Sequence, residues 1–269
     1  MPARPASRPD IVLVTGASSG IGAALAERFA REGHALVLVA RRAAHLAELA
    51  EALAQRHGVS ALALPTDLAC PGAVPALAET LRRRRVRIDV LVNNAGVLHQ
   101  GAFTRMKPEQ QRAMLDLNVT AFTELLVHLV PPMRRRGHGR VLNVASIAAF
   151  QPVPSLATYA ATKAYVLSLS ESLAQELAGS GVTVTALCPG ITDTGMLEGA
   201  RRTDARLARL PDLMVSDAQA VAEAGYQACM RGEPLRVPGV FNEALTLASR
   251  VTPRWLLRRA GSRLAWRAR

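Results

Sequence analysis

The stretch Ile11-Val-Leu-Val-Thr-Gly-Ala-Ser-Ser-Gly-Ile-Gly22 decides the fold of this chain of 269 residues. Residues 11–14 form the short apolar run that is typical of a strand buried in a parallel sheet. A glycine-rich turn follows, and residues 23–32 have a helical pattern. In this order the turn and the helix N-terminus present backbone N–H groups to an anion, while the glycines let the backbone approach it. The G-x-x-x-G-x-G spacing therefore predicts a dinucleotide site rather than a merely tight turn.

Apolar runs and helical patterns alternate along the rest of the chain. Strands are predicted at 11–15, 35–40, 60–65, 88–93, 140–145 and 182–188, with a short last one near 235–238. Helices are predicted at 20–32, 43–57, 72–84, 108–136, 156–179 and 216–231. This βα alternation indicates an α/β fold, a Rossmann-like doubly wound parallel β-sheet flanked by helices on both faces. Because no repeat or linker interrupts it, we expect a single domain over residues 10–249.

Composition argues against several classes of protein. Apolar residues make up 49% of the chain, but no run is long enough to span a bilayer. Residues 1–9 are rich in Pro, Ala and Arg and lack the apolar stretch of a signal peptide, so we expect a flexible tail. The three cysteines are odd in number and widely spaced, which favours reduced thiols and the cytoplasm. The six histidines show no metal-ligand spacing, so no metal site is predicted.

Polar motifs follow the predicted strands at their carboxyl ends. Gly16 follows the first strand, Asn93 the fourth, Ser146 the fifth and Pro189 the sixth. Ligands of doubly wound sheets bind outside these ends. We therefore expect one crevice to collect all four motifs.

A tyrosine and a lysine lie four residues apart in Tyr159-Ala-Ala-Thr-Lys163. This spacing places both side chains on one face of a helix, about one turn apart. An ammonium beside a phenol, whose ordinary pKa is about 10, favours the ionised form and so prepares an acid/base catalyst for a carbonyl. Lys163 is one of only two lysines in an arginine-rich chain, the other being Lys107. Chance explains such a pair when it stands alone, but the glycine-rich turn at residues 15–22 is a second, independent motif.

Taken together, these motifs resemble those of the short-chain dehydrogenase/reductase family, in its single-domain branch. The resemblance covers most of the chain, and the motifs that carry it are Thr15–Gly22, Asn93-Asn94-Ala95-Gly96, Asn118, Ser146, Tyr159, Lys163 and Pro189-Gly190. It implies an enzyme that transfers hydride between a nicotinamide and a carbonyl or alcohol carbon, chemistry that the cofactor carries and the protein orients.

The resemblance also implies a catalytic set of Asn118, Ser146, Tyr159 and Lys163. Tyr159 would give a proton to the carbonyl oxygen or take it from the alcohol. Lys163 would lower the pKa of the phenol and bind the nicotinamide ribose, and Ser146 would donate to the substrate oxygen. Asn118 would hold a water that links Lys163 to bulk solvent. A hydrolytic role for Ser146 is disfavoured because no G-x-S-x-G turn surrounds it.

The second predicted strand ends in Arg41-Arg42, and no Asp or Glu follows until Glu48. A carboxylate at this point would bind the ribose 2′-OH of NAD, whereas an arginine accommodates a 2′-phosphate. NADP(H) is therefore favoured over NAD(H), with Arg41 as the first contact and Arg42 as the second; two solvated surface arginines are the alternative. The expected cofactor-binding residues are Gly16, Ser18, Ser19, Gly20, Ile21, Gly22, Arg41, Arg42, Asp67, Leu68, Asn94, Ala95, Gly96, Tyr159, Lys163, Pro189, Gly190, Ile191 and Thr194. Within this set Asp67 matches the family's aspartate near the adenine amino group, although an Asp after a strand also suits a helix cap.

Three segments are expected to line the substrate pocket: 97–101, 148–156 and the region after Thr194. Their apolar side chains are Leu98, Phe150, Val153, Pro154, Leu156, Met196, Leu197 and Met214. Such a pocket suits a small hydrophobic carbonyl or alcohol substrate, although plain packing also explains these residues. Residues 194–215 occupy the place of the family's lid. Four arginines in this lid either meet an anionic substrate group or form a solvated helix face.

The net charge of +12 is concentrated at the C-terminus. Residues 250–269 hold seven arginines, no acid and both tryptophans of the chain, Trp255 and Trp266. A basic amphipathic segment of this kind suits the surface of an anionic membrane. A helix docked on a subunit, a flap over the pocket and a frayed terminus are the alternatives. Nucleic-acid binding is not expected, because no recognised motif accompanies the charge.

From these features we expect a cytoplasmic, NADP(H)-dependent oxidoreductase with peripheral membrane contact through residues 250–269. The alternative is an NADP(H)-binding redox sensor or scaffold with little turnover, against which the complete catalytic set argues. A nucleotide-sugar epimerase is a further alternative, but such enzymes usually carry a longer C-terminal domain than the 80 residues that follow Pro189. The resemblance implies a homodimer or a homotetramer.

Overall fold

The computed structural model describes residues 9–193 and 215–251. Seven parallel strands form its sheet, in the order β3-β2-β1-β4-β5-β6-β7. The strands are β1 Ile11–Thr15, β2 Ala35–Ala40, β3 Ala61–Pro65, β4 Val90–Asn93, β5 Gly139–Val144, β6 Val182–Leu187 and β7 Leu235–Arg236. The helices are α1 Gly20–Arg31, α2 Ala43–His57, α3 Ala73–Arg83, α4 Pro108–Leu115, α5 Phe122–Arg136, α6 Ala157–Glu176, α7 Ala218–Arg231 and α8 Val240–Val251. A π-helical turn, Asp116–Ala121, joins α4 to α5, and 3-10 turns occur at Phe103–Arg105 and Ile147–Phe150.

The strand order reverses next to β1. The chain winds outward through β2 and β3, then crosses back to place β4 on the other side of β1. Val12 of β1 therefore lies between Leu36 of β2 and Val90 of β4. Ligands of such sheets bind at this switch point, outside the carboxyl ends of the strands. The predicted fold class, a doubly wound parallel sheet in a single domain, is confirmed.

Both faces of the sheet are buried under helices. In β1, Leu13 belongs to the core on one face, whereas Val12 and Val14 belong to the core on the other. Helices α3, α5 and α6 cover the first face, and α1, α2 and α7 cover the second. Burial on both sides explains why the strands are continuous apolar runs in the sequence rather than alternating ones.

The predicted elements agree with the observed ones to within three residues, with two differences. The predicted helix 108–136 contains the π-helical turn, which a periodic apolar pattern does not distinguish from α-helix. Helix α8 was not predicted at all. Its buried side chains include the polar Asn242 and Thr246, so it lacks the inward apolar stripe by which a packed helix is found.

One long helical stretch, Pro108–Arg136, has the length and the mean hydropathy, 1.4, of a membrane-spanning helix. Leu125, Leu126 and Met133 of this stretch are buried in the core of the domain. A core helix passes the same test as a membrane helix, so packing inside the domain accounts for its apolar character.

Several predictions concern residues outside the described ranges. The expected lid, 194–215, is described only at Val215. The expected tails are described only at Pro9 and at the backbone of residues 250 and 251. The predicted pocket residues Met196, Leu197 and Met214 also lie outside the described residues.

A tight backbone contact joins the chain before β5 to the chain before β6. A methyl group on Gly181, which has a φ of +79°, would lie 1.9 Å from the carbonyl oxygen of Gly137. Gly179 has a similar φ of +75°, but a methyl group there would meet nothing within 4 Å. We expect Gly179→Ala to lower the free energy of unfolding by about 1 to 2 kcal/mol, the cost of a left-handed alanine. Gly181→Ala should cost about 1 to 3 kcal/mol more, because two backbones must also separate.

Urea denaturation of the two alanine variants measures this difference directly. Because both positions have the same backbone conformation, Gly179→Ala serves as the matched control. Equal losses of stability in the two variants would show that the contact between Gly137 and Gly181 is not tight.

Candidate active site

The glycine-rich turn after β1 is joined to the loop after β4. The Thr15 hydroxyl accepts hydrogen bonds from the backbone N–H groups of Asn94 and Ala95, both at 2.9 Å. The Asn94 amide donates to the Thr15 carbonyl oxygen at 2.9 Å. A methyl group on Gly22 would lie 2.2 Å from the Gly16 carbonyl oxygen and 2.5 Å from the Asn94 amide nitrogen. Only glycine fits at position 22, and its absence of a side chain lets the first turn of α1 approach this loop.

A groove of about 530 Å³ runs along these two loops and the carboxyl end of β2. Thirteen of the predicted cofactor-binding residues line it: Gly16, Ser18, Ser19, Gly20, Ile21, Gly22, Arg41, Arg42, Asp67, Leu68, Asn94, Ala95 and Gly96. Four further lining residues, Val39, Ala40, Thr66 and Leu117, were not predicted, because ordinary strand and helix residues carry no motif. The N-terminus of α1 contributes its N–H groups and its dipole, which favour a phosphate. Glycines occupy the positions of the glycine-rich turn at which a side chain would block the groove. The residues present therefore fit the pyrophosphate of a nicotinamide dinucleotide.

Two arginines give one corner of this groove a positive charge. Arg42 donates from Nη2 to the carbonyl oxygen and the hydroxyl of Ser18, at 3.0 and 3.2 Å. Its guanidinium is therefore held at the glycine turn, while Arg41 is exposed beside it. Asp67 also lines the groove, and its carboxylate accepts from the Ala69 N–H at 3.2 Å. Asp67 thus stabilises its own loop, the role that a capping residue would have, and also lines the groove.

A second cavity, of about 380 Å³, adjoins the groove and shares Ile21, Asn94 and Gly96 with it. The predicted catalytic residues Ser146, Tyr159 and Lys163 line this cavity. So do Pro189, Gly190 and Ile191 from the loop after β6, together with the unpredicted Thr192. Thr194, the last residue of the predicted cofactor set, lies outside the described residues. The groove and the cavity thus bring the four motifs that follow the strands into one crevice.

The cavity wall is mostly apolar. Leu98, Val153 and Leu156 line it, as predicted. Phe150 and Pro154 were also predicted there but are not among its lining residues, and Phe150 packs against the core instead. Two carboxamides, Gln100 and Gln151, add polar groups to the wall. Both belong to segments that were predicted to line the pocket, but only the apolar residues of those segments were predicted as lining residues.

Ser146 follows β5 and begins the 3-10 turn Ile147–Phe150. Its hydroxyl accepts from the Ala148 N–H at 3.1 Å and lies close enough to the phenol of Tyr159 to lower the pKa of that phenol. The Ile147 N–H donates to the Pro189 carbonyl oxygen at 3.0 Å. The turn is thereby tied to the loop after β6, and the hydroxyl is held in place at the cavity wall.

Tyr159 and Lys163 lie on one face of α6, as their spacing predicts. Both are almost fully buried, with 9% and 6% of their surface exposed. The Lys163 ammonium donates to the Val144 carbonyl oxygen at 2.8 Å and lies 5.8 Å from the centroid of the Tyr159 ring. The lysine is therefore anchored to the end of β5, beside the tyrosine rather than bonded to it.

Burial governs the ionisation of both groups. It raises the pKa of Tyr159 to about 12, against a smaller lowering by the hydrogen bond with Ser146. It lowers the pKa of Lys163 to about 8, against a smaller raising by Cys188. The expectation that Lys163 lowers the pKa of the phenol is not met in this structure, because desolvation raises that pKa and Lys163 is not among the groups that lower it. At neutral pH the phenol keeps its proton and the lysine is mostly a cation.

Asn118 lies in the π-helical turn between α4 and α5 and is buried. Its side chain accepts from the Val97 N–H at 2.8 Å and donates to the Val97 carbonyl oxygen at 2.9 Å. It also donates to the Thr162 hydroxyl at 3.2 Å, and that hydroxyl donates to the Tyr159 carbonyl oxygen at 2.7 Å. Asn118 therefore links the loop after β4 to α6, a structural role that the sequence did not indicate. Its role in holding a water stays a prediction.

A dinucleotide groove that opens into a cavity with a buried phenol and ammonium defines an oxidoreductase, because hydride chemistry needs a bound cofactor beside an acid/base group. Residues 10–205 match the family described as short chain dehydrogenase. The chain belongs to this family, and it is an oxidoreductase acting on CH–OH or C=O groups. No group of His, Cys, Asp and Glu that could hold a metal occurs within residues 9–193 and 215–251.

Three similar proteins illustrate the family. A short-chain dehydrogenase from Sphingobium yanoikuyae, solved in complex with NADPH, is 38% identical, with a TM-score of 0.80 over 90% of this chain and 93% of that one. The bulky-bulky ketone specific alcohol dehydrogenase from Comamonas testosteroni is 32% identical, with a TM-score of 0.76 over 92% and 96%. The 3-oxoacyl-[acyl-carrier-protein] reductase FabG of Escherichia coli is 32% identical over 85% of this chain and 96% of its own length.

The buried lysine should make stability depend on pH. Its pKa in the folded protein, about 8, lies below the ordinary 10.5, so between these values the unfolded chain binds more protons than the folded one. The contribution of Lys163 to stability therefore rises with pH across this window. We expect the free energy of unfolding of the wild type, minus that of Lys163→Met, to increase by about 2 kcal/mol from pH 7.5 to pH 9.5.

Urea denaturation at the two pH values measures this difference. The chain's other lysine provides the control: Lys107 is exposed, so Lys107→Met removes a lysine without removing a buried charge. A difference between wild type and Lys163→Met that stays constant with pH would mean that the ammonium is not desolvated.

Proposed function

We propose that this protein is an NADP(H)-dependent reductase or dehydrogenase of a small hydrophobic carbonyl or alcohol compound. One observation carries the proposal: Ser146 and Tyr159, with Lys163 beside the phenol, line an apolar cavity that adjoins the dinucleotide groove. A carbonyl group placed at this pair would be next to the groove from which hydride must come.

Tyr159, Ser146 and Lys163 have different roles in proton transfer. Reduction of a carbonyl needs a proton donor at its oxygen, and the Tyr159 phenol, with a pKa of about 12, holds its proton at neutral pH. The Ser146 hydroxyl accepts from Ala148 and so keeps its own proton free to donate to the same oxygen, where negative charge develops. The Lys163 cation stabilises the phenolate that remains and would bind the nicotinamide ribose. When bound, the nicotinamide supplies the hydride for reduction or accepts it for oxidation.

The cavity supports a hydrophobic substrate. Leu98, Val153 and Leu156 give it an apolar wall, and pockets of this kind recognise the apolar body of a ligand while a few polar groups orient it. The similarity to an alcohol dehydrogenase specific for bulky-bulky ketones and to a 3-oxoacyl-[acyl-carrier-protein] reductase is consistent with a carbonyl compound as the substrate.

The cationic corner of the groove supports NADP(H) over NAD(H). Arg42 is held at the glycine turn by Ser18, and Arg41 is exposed beside it, so two guanidinium groups border the end of β2. A guanidinium makes paired, charge-assisted hydrogen bonds to a phosphate. No carboxylate occurs here before Glu48 to bind the 2′-OH of NAD. The similar Sphingobium enzyme was solved with NADPH.

A sensor or scaffold that binds NADP(H) with little turnover is less well supported. Such a protein would not need Tyr159 and Lys163 at the wall of a second, apolar cavity. Burying the ammonium of Lys163 costs stability, since desolvation disfavours its charged form. A buried ammonium that lowers stability, and that lies beside the phenol, is better explained by a role in catalysis than by cofactor binding alone.

We also propose a homodimer or homotetramer in the cytoplasm, with peripheral membrane contact through residues 250–269. Leu115 and Val127 are exposed apolar residues on the α4–α5 stretch, and apolar surface of this kind favours a partner. The three cysteines are free thiols, which suits a reducing compartment. The site itself binds small molecules, and we propose no nucleic-acid partner.

Replacing Tyr159 by phenylalanine should remove the proton donor and keep the ring. We expect Tyr159→Phe to lower kcat/KM by about a thousandfold, the usual share of general acid catalysis, while the Kd for NADPH stays within about twofold. NADPH absorbance, followed across a panel of hydrophobic ketones and aldehydes, measures the first quantity, and fluorescence titration measures the second.

Tyr165 on the same helix provides the matched control. Its phenol hydrogen-bonds Thr123 at 2.9 Å, away from the cavity, so Tyr165→Phe should retain the activity of the wild type. Near-normal turnover in Tyr159→Phe would refute the proposed role of this residue.

The cofactor preference should depend on the two arginines. We expect Arg41→Ala and Arg42→Ala each to raise the KM for NADPH by about 10- to 100-fold, the loss of a charge-assisted contact, with little change for NADH. Arg56→Ala is the control, because Arg56 is an exposed arginine on α2 that pairs with Glu27. An equal loss for both cofactors would indicate damage to the glycine turn, and no loss for either would leave the arginines without this role.

A further inference from the structure

Helix α8, Val240–Val251, has the opposite polarity from a normal surface helix. The two large side chains that it buries are polar: Asn242 and Thr246 are 9% and 6% exposed. Its large apolar side chains point away from the domain instead. Their exposed fractions are 85% for Val240, 62% for Phe241, 39% for Leu245 and 63% for Leu247.

The helical spacing gathers the apolar residues into one outward surface, which we call the α8 face: Val240, Phe241, Ala244, Leu245, Leu247 and Ala248. A helix on the surface of a soluble protein turns its apolar stripe to the core and its polar residues to water. The buried polar groups of α8 are satisfied by nearby backbone, since Asn242 donates to the Pro238 carbonyl oxygen and Thr246 to that of Glu243. The orientation is therefore a consistent arrangement that leaves the α8 face largely exposed.

The α8 face lies beside the substrate cavity. The Asn242 side chain packs against Gly190, where a methyl group would lie 2.5 Å from its amide nitrogen. Helix α8 also packs against the 3-10 turn Ile147–Phe150. Both Gly190 and Ile147 line the cavity. Whatever covers the α8 face is therefore held next to the cavity.

The chain that continues from α8 identifies the chemistry of the covering surface. Residues 250–269 carry seven arginines, no acid and the two tryptophans of the chain. Arginine binds anionic headgroups, and tryptophan prefers the boundary between headgroups and hydrocarbon. A second copy of the chain carries the same net charge of +12, so like charges would oppose its contact with the α8 face. An anionic lipid bilayer offers hydrocarbon to the apolar α8 face and negative headgroups to the arginines.

We propose that the α8 face inserts into the surface of an anionic membrane, while residues 250–269 bind its headgroups. This geometry holds the substrate cavity at the bilayer, so that a hydrophobic carbonyl compound dissolved in the lipid is the substrate. The membrane contact is independent of the enzymatic activity, whereas the substrate source rests on the proposed function.

Co-sedimentation of the full chain with vesicles tests the contact. We expect strong binding to vesicles of phosphatidylcholine with phosphatidylglycerol at low salt, weaker binding at 0.5 M salt because charges are screened, and little binding to phosphatidylcholine alone. The double variant Phe241→Ser/Leu247→Ser should bind the anionic vesicles at least tenfold more weakly. Phe103→Ser is the matched control, since Phe103 is 64% exposed on a different part of the surface and should bind like the wild type.

Intrinsic fluorescence gives an independent readout on the unmodified protein. Both tryptophans, Trp255 and Trp266, belong to residues 250–269, so the whole tryptophan signal comes from this segment. Anionic vesicles should shift its emission to the blue, and brominated lipids should quench it. Unchanged emission, or equal vesicle binding by the double variant and the wild type, would overturn the proposal. So would a change of oligomeric state in the double variant without any loss of vesicle binding, because a second copy would then cover the α8 face.

Activity separates this proposal from the proposed function. With anionic vesicles present, the wild type should reduce a lipid-soluble ketone with a lower apparent KM than the double variant, while both reduce a water-soluble ketone equally. Equal activity of the double variant on the soluble ketone also shows that it is folded. Vesicle binding without reduction of any ketone would reject the proposed function and keep the membrane contact. Reduction of ketones without vesicle binding would reject the membrane contact alone.

Discussion

The contact between the glycine-rich turn and the loop after β4 sets the geometry on which the rest of the site depends. Thr15 joins the two loops by three hydrogen bonds, two with Asn94 and one with Ala95, and the missing side chain at Gly22 lets the loops approach. Gly96, just beyond this contact, passes close to the catalytic lysine: a methyl group there would lie 3.6 Å from Lys163 Nζ. The loop that is bonded to the glycine-rich turn therefore also passes beside the lysine. One backbone contact thus relates the position of a bound dinucleotide to the acid/base group that must act beside it.

Burial then determines what that acid/base group can do. A phenol with a pKa of about 12 is a proton donor at every physiological pH, and an ammonium with a pKa of about 8 is still a cation at neutrality. This protonation state is the one that carbonyl reduction consumes, since the phenol gives up its proton and the phenolate forms next to a positive charge. Oxidation uses the ionised phenol as the base, and the Lys163 cation beside it would stabilise that form. Desolvation of Tyr159 and Lys163 therefore sets the protonation state of the two groups at neutral pH.

Much of the fold and the site could be predicted because their features are local in the sequence. A strand such as 35–40 is apolar along its whole length, and the spacing of Gly16, Gly20 and Gly22 constrains the backbone by itself. Burial, in contrast, depends on residues that are distant in the sequence. The carbonyl oxygen that accepts from Lys163 belongs to Val144 on another element. The spacing of Tyr159 and Lys163 therefore predicts their shared helix face but not their pKa values. Gln100 and Gln151 were missed for the same reason. A glutamine in a loop is ordinary, and only the cavity around it makes it a candidate for substrate binding.

Helix α8 shows a limit of predicting helices from the spacing of apolar residues. The spacing is read on the assumption that the apolar side of a helix faces the core and its polar side faces water. Its pattern of apolar residues is regular, but the stripe faces outward, and a method that assigns apolar stripes to the core does not find it. The inward side chains Asn242 and Thr246 donate to the carbonyl oxygens of Pro238 and Glu243 in the same segment, so these two bonds stabilise the local turn and helix. Helix α8 is held against the domain by its packing on the 3-10 turn Ile147–Phe150 and by Asn242 against Gly190. Because Ile147 and Gly190 line the cavity, the proposed membrane contact through the α8 face and the cavity share one structural element.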